Sequence, residues 1–341
     1  MGQKGFWDWE NRHAKLSNKK ILLDQIDELI PWEEFRPILK VIHQKPRLSN
    51  AGRKPLDTIL MFKLIVLQKL FNLGDDELEY QANDRLSFMK FLHLGLEDSI
   101  PDAKTVWLFR EQLTQHGLIE ELFNRFDDYL RDRGYEAEEG QIVDATLVPV
   151  PKQRNSQEEN DKIRQGETPE GWEKNPHRLS QKDLDARWTK KNGQSYYGYK
   201  NHISIDVKFG FVRSYHVTDA SVHDSKALGK IIDGENLDDR IWGDSAYRSE
   251  DIEWVLEQLE FDSKIHERAY RNKPLSEEQK SNNRQKSKIR AKVEHVFGAW
   301  VMSMGGKLLR SIGKIRANAN IGLKNLAYNI RRYIFWETQK E

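Results

Sequence analysis

Near Gly140 the hydrophobic pattern of this chain changes period, and that change requires two kinds of structure within one sequence. Before it, Leu56, Ile59, Leu60, Leu64, Leu67, Leu70 and Phe71 recur at three- and four-residue spacing between Pro55 and Gly74. That spacing predicts a helix that is apolar around most of its circumference. A second set runs Leu78, Ala82, Leu86, Met89 and Leu92. After the Ser99-Ile100-Pro101-Asp102 break, a third carries Val106, Leu108, Phe109, Leu113 and Leu118. Residues 1–135 are therefore expected to form an all-helical domain of short helices and tight turns, like a helix-turn-helix module that binds DNA. The Gly52-Arg53-Lys54 turn, Lys104 and Arg110 are its candidate phosphate contacts, although helical packing alone would place such residues there too.

After the change, Gln141-Ile142-Val143-Asp144-Ala145-Thr146-Leu147-Val148-Pro149-Val150 is β-branched, short and bounded by Gly and Pro, which predicts a strand. Residues 151–195 hold only six hydrophobic side chains in 45 positions and read as a polar insertion or loop rather than core. Alternation returns over 199–206 and 211–217 around Phe209-Gly210, as in a hairpin. A helix over 222–232, a short strand 240–244, a helix 249–259 and a strand over 261–266 follow. A basic helix over 281–303 and a final amphipathic helix over 321–336 close the chain. This order predicts a mixed sheet flanked by helices over residues 136–341.

Several function classes are excluded early. With no cysteine, the chain has no disulfide, thiolate zinc site or iron–sulfur cluster, so any metal must sit on carboxylates or histidines. The longest apolar stretch, Ile59 to Leu67, is interrupted by Lys63 and is about half the ~20 residues that a spanning helix needs. The start of the chain, Met1 to Trp7, lacks the pattern of a secretory leader, and a cytoplasmic protein without membrane partners is expected. Net charge is only +1, yet residues 264–316 carry 14 Lys/Arg against 4 Glu, leaving the remainder acidic. Such a block is either a phosphate-binding face or a solvated basic surface.

Three acids stand out by position. Asp144 lies inside an apolar strand, where an unpaired carboxylate is costly. Asp244 follows Trp242-Gly243, where a strand gives way to loop. Glu294 is the only acid between Lys280 and Glu337, embedded among Arg284, Lys286, Lys288, Arg290 and Lys292. Glu294 has two readings: a surface ion pair with Arg290 one turn earlier, or one of three acids that converge to bind two hard divalent cations through oxygen. Two such ions serve in-line phosphodiester displacement. Asp206, near the hairpin turn, and Glu250, in the first turn of a helix, read as structural. His202, His223 and His295 lack paired zinc spacing and read as hydrogen-bonding or DNA-near groups.

Taken in order, these residues resemble the DDE transposases of bacterial insertion sequences, in the group named after insertion sequence five. Gly52-Arg53-Lys54-Pro55 and Ser99 to Thr105 are similar to that family's N-terminal domain, and Gln141 to Thr146 to its first catalytic strand. Tyr197-Gly198-Tyr199-Lys200-Asn201-His202 resembles its hairpin signature, and Val217 to Ser225 the stretch that follows. Gly243-Asp244-Ser245-Ala246-Tyr247 and Arg290-Ala291-Lys292-Val293-Glu294 resemble its second and third catalytic motifs, and Asn325 to Arg332 its closing helix.

The resemblance implies a ribonuclease H-like α/β catalytic domain using magnesium, with manganese able to substitute. It implies binding to the terminal inverted repeats of the element, cleavage of the ends and joining of the 3′-hydroxyl to target DNA by a homodimer in the synaptic complex. Asp144, Asp244 and Glu294 are the expected metal ligands and catalytic residues. Arg284, Lys288, Arg290 and Lys292 are expected on DNA phosphates, with Lys200 and His202 beside the site. A related group, named after insertion sequence four, has a tyrosine three residues before the arginine and a lysine seven after the glutamate. Those positions here hold Ser287 and Val301, so the roles of that pair do not carry over. Two other readings of the residues are a ribonuclease H-fold nuclease without strand transfer and a non-catalytic, transposase-derived DNA-binding regulator.

Overall fold

Eleven of the fourteen residues of helix Thr58–Phe71 are buried, as its unbroken apolar run predicts. Asp57 caps it by accepting from the amides of Ile59 and Leu60, and Asn72, at φ 54°, ends it in the left-handed region. Its one buried charge, Lys63, is compensated: Nζ donates to Asp27 Oδ1 at 2.5 Å and to the Phe91 carbonyl at 3.1 Å. It also lies 5.2 Å from the Trp32 and Phe91 rings.

The structure is a computed structural model that describes residues 11–12, 14–15, 21–43, 56–191, 193–270 and 273–340. The Gly52-Arg53-Lys54-Pro55 turn singled out in the sequence lies outside the described residues. The chain divides into two units, Met1–Phe126 with Leu326–Glu341, and Asp127–Asn325. In the first, Trp32, Phe35, Phe62 and Phe91 pack ring against ring at 5.0–6.5 Å around helix Thr58–Phe71. The second periodic set is two helices, Asp75–Asp84 and Leu86–Phe91. Arg85 separates them in extended conformation, its guanidinium 4.9 Å over the Phe88 ring. Helix Ala103–Gln115 follows, capped by Asp102. Its Arg110 is held by Asp75 and Gln68 rather than left for phosphate.

The second unit is built on a six-stranded mixed sheet, the ribonuclease H-like arrangement that the resemblance implies. Strand β1 (Gln141–Pro149) pairs antiparallel with β3 (Gln194–Asp206) along its whole length and parallel with β5 (Arg240–Trp242) at its start. The other partners of β3 are β2 (Arg187–Lys191) and β4 (Val212–Asp219), and β6 (Asp262–Ser263) pairs parallel with β5. Gly140, at φ 86°, lets β1 and β5 start side by side, because a Cβ there would collide with the Trp242 ring and the Arg240 carbonyl. One sheet face is covered by Leu228, Ile231, Tyr247, Leu256 and Ile265 over Val143 and Ile241.

Three expectations change. Residues 222–232 form a 3-10 turn, Asp224–Lys230, rather than a regular helix. The strand expected over 261–266 narrows to β6, although Lys264 and His266 still donate backbone bonds to Ile241 and Gly243. Residues 151–195 are not bare loop: they carry helices Gln157–Arg164 and Pro176–Ser180 and strand β2. Their apolar residues are few but central. Trp172 is fully buried, donates to Glu159 and lies under Arg178 and Lys182. Asp183, also buried, accepts from Tyr199, Ala186 and Gly313.

The β3–β4 turn is fixed by Asp206, which accepts from the amides of Phe209, Gly210 and Phe211 and from Arg213 Nε. Arg213, wholly buried, also binds Asp127 at 2.7 Å, so these charges compensate one another out of water. This is the structural part expected of Asp206.

Candidate active site

Asp144 sits at the middle of β1, its side chain 12% exposed. Oδ1 accepts from the Ala145 amide at 2.8 Å, and Arg290 Nη1 lies 3.3 Å from Oδ2. The parallel pairing of β1 and β5 brings the loop after Trp242 to the same place. There Gly243 packs closely against Val143, and Asp244 caps the turn Ser245–Tyr247 by accepting from the Ala246 amide. Arg290 Nη1 is 4.0 Å from Asp244 Oδ2, so one guanidinium stands between a carboxylate on β1 and one in the loop after β5.

Glu294 arrives on the basic helical segment, which is not one continuous helix. Ser276 and Gln279 form a capping box at the start of helix Glu277–Arg290. Residues Ala291–Val293 then tighten to a 3-10 turn, and helix Glu294–Met302 follows, burying Val296, Phe297 and Trp300. The tight turn lies between Arg290 and Glu294, which are four residues apart. Arg290 is ion-paired to Asp144 and Asp244, and Glu294 lines the same cleft as those two acids, a space of about 650 Å³.

The electrostatics agree with the geometry. Burial pushes the Asp144 carboxyl up to about 6; Arg290 and the Ala145 amide pull it down, while the nearby Asp244 and Glu294 charges push it up further. Asp244 and Glu294 are thus both close enough to act on Asp144. Their hard oxygen donors suit a divalent cation, and like-charged carboxylates gathered at a half-buried place are held most readily by one. Among the described residues, however, no three acids or histidines are already drawn together as a metal-holding cluster. Arg290 is the cation that stands among them here.

Two of the expected neighbours lie elsewhere. Asp144 is opposite Ile203 in the β1–β3 register, so Lys200 and His202, of the other parity, project to the other face of the sheet. Lys200 is held by Asp224 at 2.8 Å and by the Val222 carbonyl. His202 is fully buried beside Thr218, and burial lowers its pKa to about 4. Neither stands beside the carboxylates. Lys292 donates to the Val207 carbonyl, and Arg284 and Lys288 are exposed one helical turn apart.

Other groups in the cleft escaped the sequence reading: Lys307, Lys191 and Tyr196 line it with the acids. His266 lies 3.2 Å from Ser287 Oγ, and burial together with Arg290 and Lys286 lowers its pKa. Only Ser287, at the position where the related group has tyrosine, pointed to that pair.

Residues 135–330 match the family model described as Transposase DDE domain, and residues 10–112 match that described as Transposase domain (DUF772). Among solved structures, the cryo-EM structure of the piggyBac transposase synaptic complex with hairpin DNA is similar at 13% identity. The match covers 90% of this chain and 72% of that one with a TM-score of 0.43.

Proposed function

This chain is an enzyme of the transposase DDE domain family, and we propose that it binds the terminal inverted repeats of its own insertion sequence, cuts the ends and joins the freed 3′-hydroxyl to target DNA. The observation that supports this most is the convergence of Asp144, Asp244 and Glu294 on one cleft around Arg290.

In this reading Asp144, Asp244 and Glu294 hold two divalent ions, magnesium by preference, with manganese able to substitute. Such ions, when bound, lower the pKa of an attacking hydroxyl and stabilise the leaving oxygen of an in-line displacement. Asp144 and Asp244 fix the ligand positions from the sheet, each anchored by a backbone amide. Arg290 balances the carboxylates until substrate and metal arrive, then serves a DNA phosphate. Arg284, Lys288 and Lys292 hold the backbone farther along the duplex. Lys200 and His202 support the sheet from its other face. Synapsis of two ends requires two copies of the chain, and the work is placed in the cytoplasm, at the DNA. The residues favour the group named after insertion sequence five.

The test is a labelled inverted-repeat end and a supercoiled plasmid incubated with purified protein, with and without magnesium. The reading predicts metal-dependent nicking followed by covalent joining to the plasmid. Cut ends that never join would favour a nuclease, and binding without cutting would favour a regulator.

A further inference from the structure

Lys307 is placed with unusual care for a residue in a glycine loop. Gly305 and Gly306 turn the chain at φ 69° and 102°, conformations that suit glycine. The Gly306 amide donates to the Trp300 carbonyl, and Lys324 Nζ donates to the carbonyls of Met304 and Gly306. Beyond the turn, the Leu309 amide bonds the Pro149 carbonyl at the end of β1. The loop is thus tied to β1 on one side and to the last helix on the other.

From this platform Lys307 reaches into the cleft of the three acids. Nζ donates to Thr146 Oγ1 at 2.6 Å and lies 5.1 Å from the Phe297 ring. An ammonium has three donors, and among the described residues Lys307 makes no ion pair. Lys191, at the end of β2, lines the same cleft. Burial of Lys307 and, after it, the Lys191 charge press the Lys307 pKa down, against the pull of Glu294 and Asp144. Two lysines near enough to repel one another, in a partly dry cleft, are best satisfied by an anion with several acceptor oxygens.

We propose that Lys307 and Lys191 form a subsite for a backbone phosphate of the DNA strand being cut, in the same cleft as Asp144, Asp244 and Glu294. This rests on the strand-cleavage reading above. Lys307 supplies the fixed cation, oriented by Thr146 and the Gly305-Gly306 loop, and Lys191 closes on the phosphate from β2. The subsite sets which phosphodiester lies at the carboxylates, so its loss slows cutting more than it weakens overall DNA binding.

The experiment is a charge-deletion cycle. Inverted-repeat ends carrying a single neutral methylphosphonate at each position around the cut are offered to wild type, Lys307→Met, Lys307→Arg and Lys191→Met, and single-turnover cleavage is measured with magnesium. At one position neutralisation slows wild type about 10- to 100-fold, the size of a lost charge-assisted hydrogen bond. The same neutralisation slows Lys307→Met several-fold less than wild type, and Lys307→Arg regains sensitivity at that position. Lys191→Met, at an exposed residue, shows the same reduced sensitivity. If every methylphosphonate slows Lys307→Met and Lys191→Met as much as wild type, the subsite is refuted and the lysines only offset the carboxylate charge. Wild type that never cuts the unmodified end overturns the strand-cleavage reading itself.

Discussion

At the scale of the residue, Asp144 shows how function is set against stability. Its carboxyl is pushed up to about 6, above the ordinary range of an aspartate, because burial and two neighbouring acids outweigh Arg290. The folded state therefore binds the proton more tightly than the unfolded chain. The stability this gives is fully present below the unfolded pKa and is lost as pH rises through about 6. Above that pH the ionised group costs about 3 kcal/mol. In the absence of divalent metal, Asp144→Asn is expected to gain stability relative to wild type as pH rises from 4 to 8, as measured by denaturant titration at each pH. A difference independent of pH would contradict the raised pKa. An acid in an apolar strand and a lone acid in a basic run were both legible as anomalies, which is why Asp144 and Glu294 could be named from the sequence. Lys307 was not legible: nothing in Gly305-Gly306-Lys307 shows that the loop is tied to Pro149 and Lys324 and so turned into the cleft.

At the scale of the element, the 3-10 turn Ala291–Val293 joins helix Glu277–Arg290 to the helix that carries Glu294. Inserting one alanine after Ala291 turns every later residue of the helix by about 100°. Cleavage is expected to fall at least 100-fold, while circular dichroism keeps its helical signal and DNA binding persists. Cleavage within a few-fold of wild type would mean that Glu294 is not held to the site by this turn. The sequence reads this region as one helix because no Pro or Gly marks the change, and tightening by a single turn leaves the apolar period nearly intact. The sheet was more legible: β1, β3, β4 and β5 follow alternation and turn residues. Lys200 and His202 were misplaced because a motif fixes order along the chain but not side. The β1–β3 register sends alternate residues to opposite faces. Residues 151–195 read as loop because their order rests on a few buried groups, Trp172 and Asp183 foremost, which carry no period.

At the scale of the whole molecule, the near-zero net charge hides a basic segment over residues 264–316, and among the described residues no helix is long and apolar enough to cross a membrane. Arg284 and Lys288 lie exposed on that segment. If they hold phosphates, Arg284→Ala and Lys288→Ala each lower the slope of log affinity against log salt by about 1 and weaken DNA binding for any sequence alike. An unchanged slope in a salt titration by fluorescence anisotropy would return the segment to a solvated surface. In the proposed reading, acids from β1, from the loop after β5 and from a helix act as a single metal-dependent site. It is tested most directly by comparing wild type with Asp144→Asn, Asp244→Asn and Glu294→Gln in magnesium-dependent cleavage and joining of the inverted-repeat end. The account predicts that each variant loses both steps by several orders of magnitude while binding the DNA end as wild type does. Cleavage and joining retained by any one of the three would contradict it.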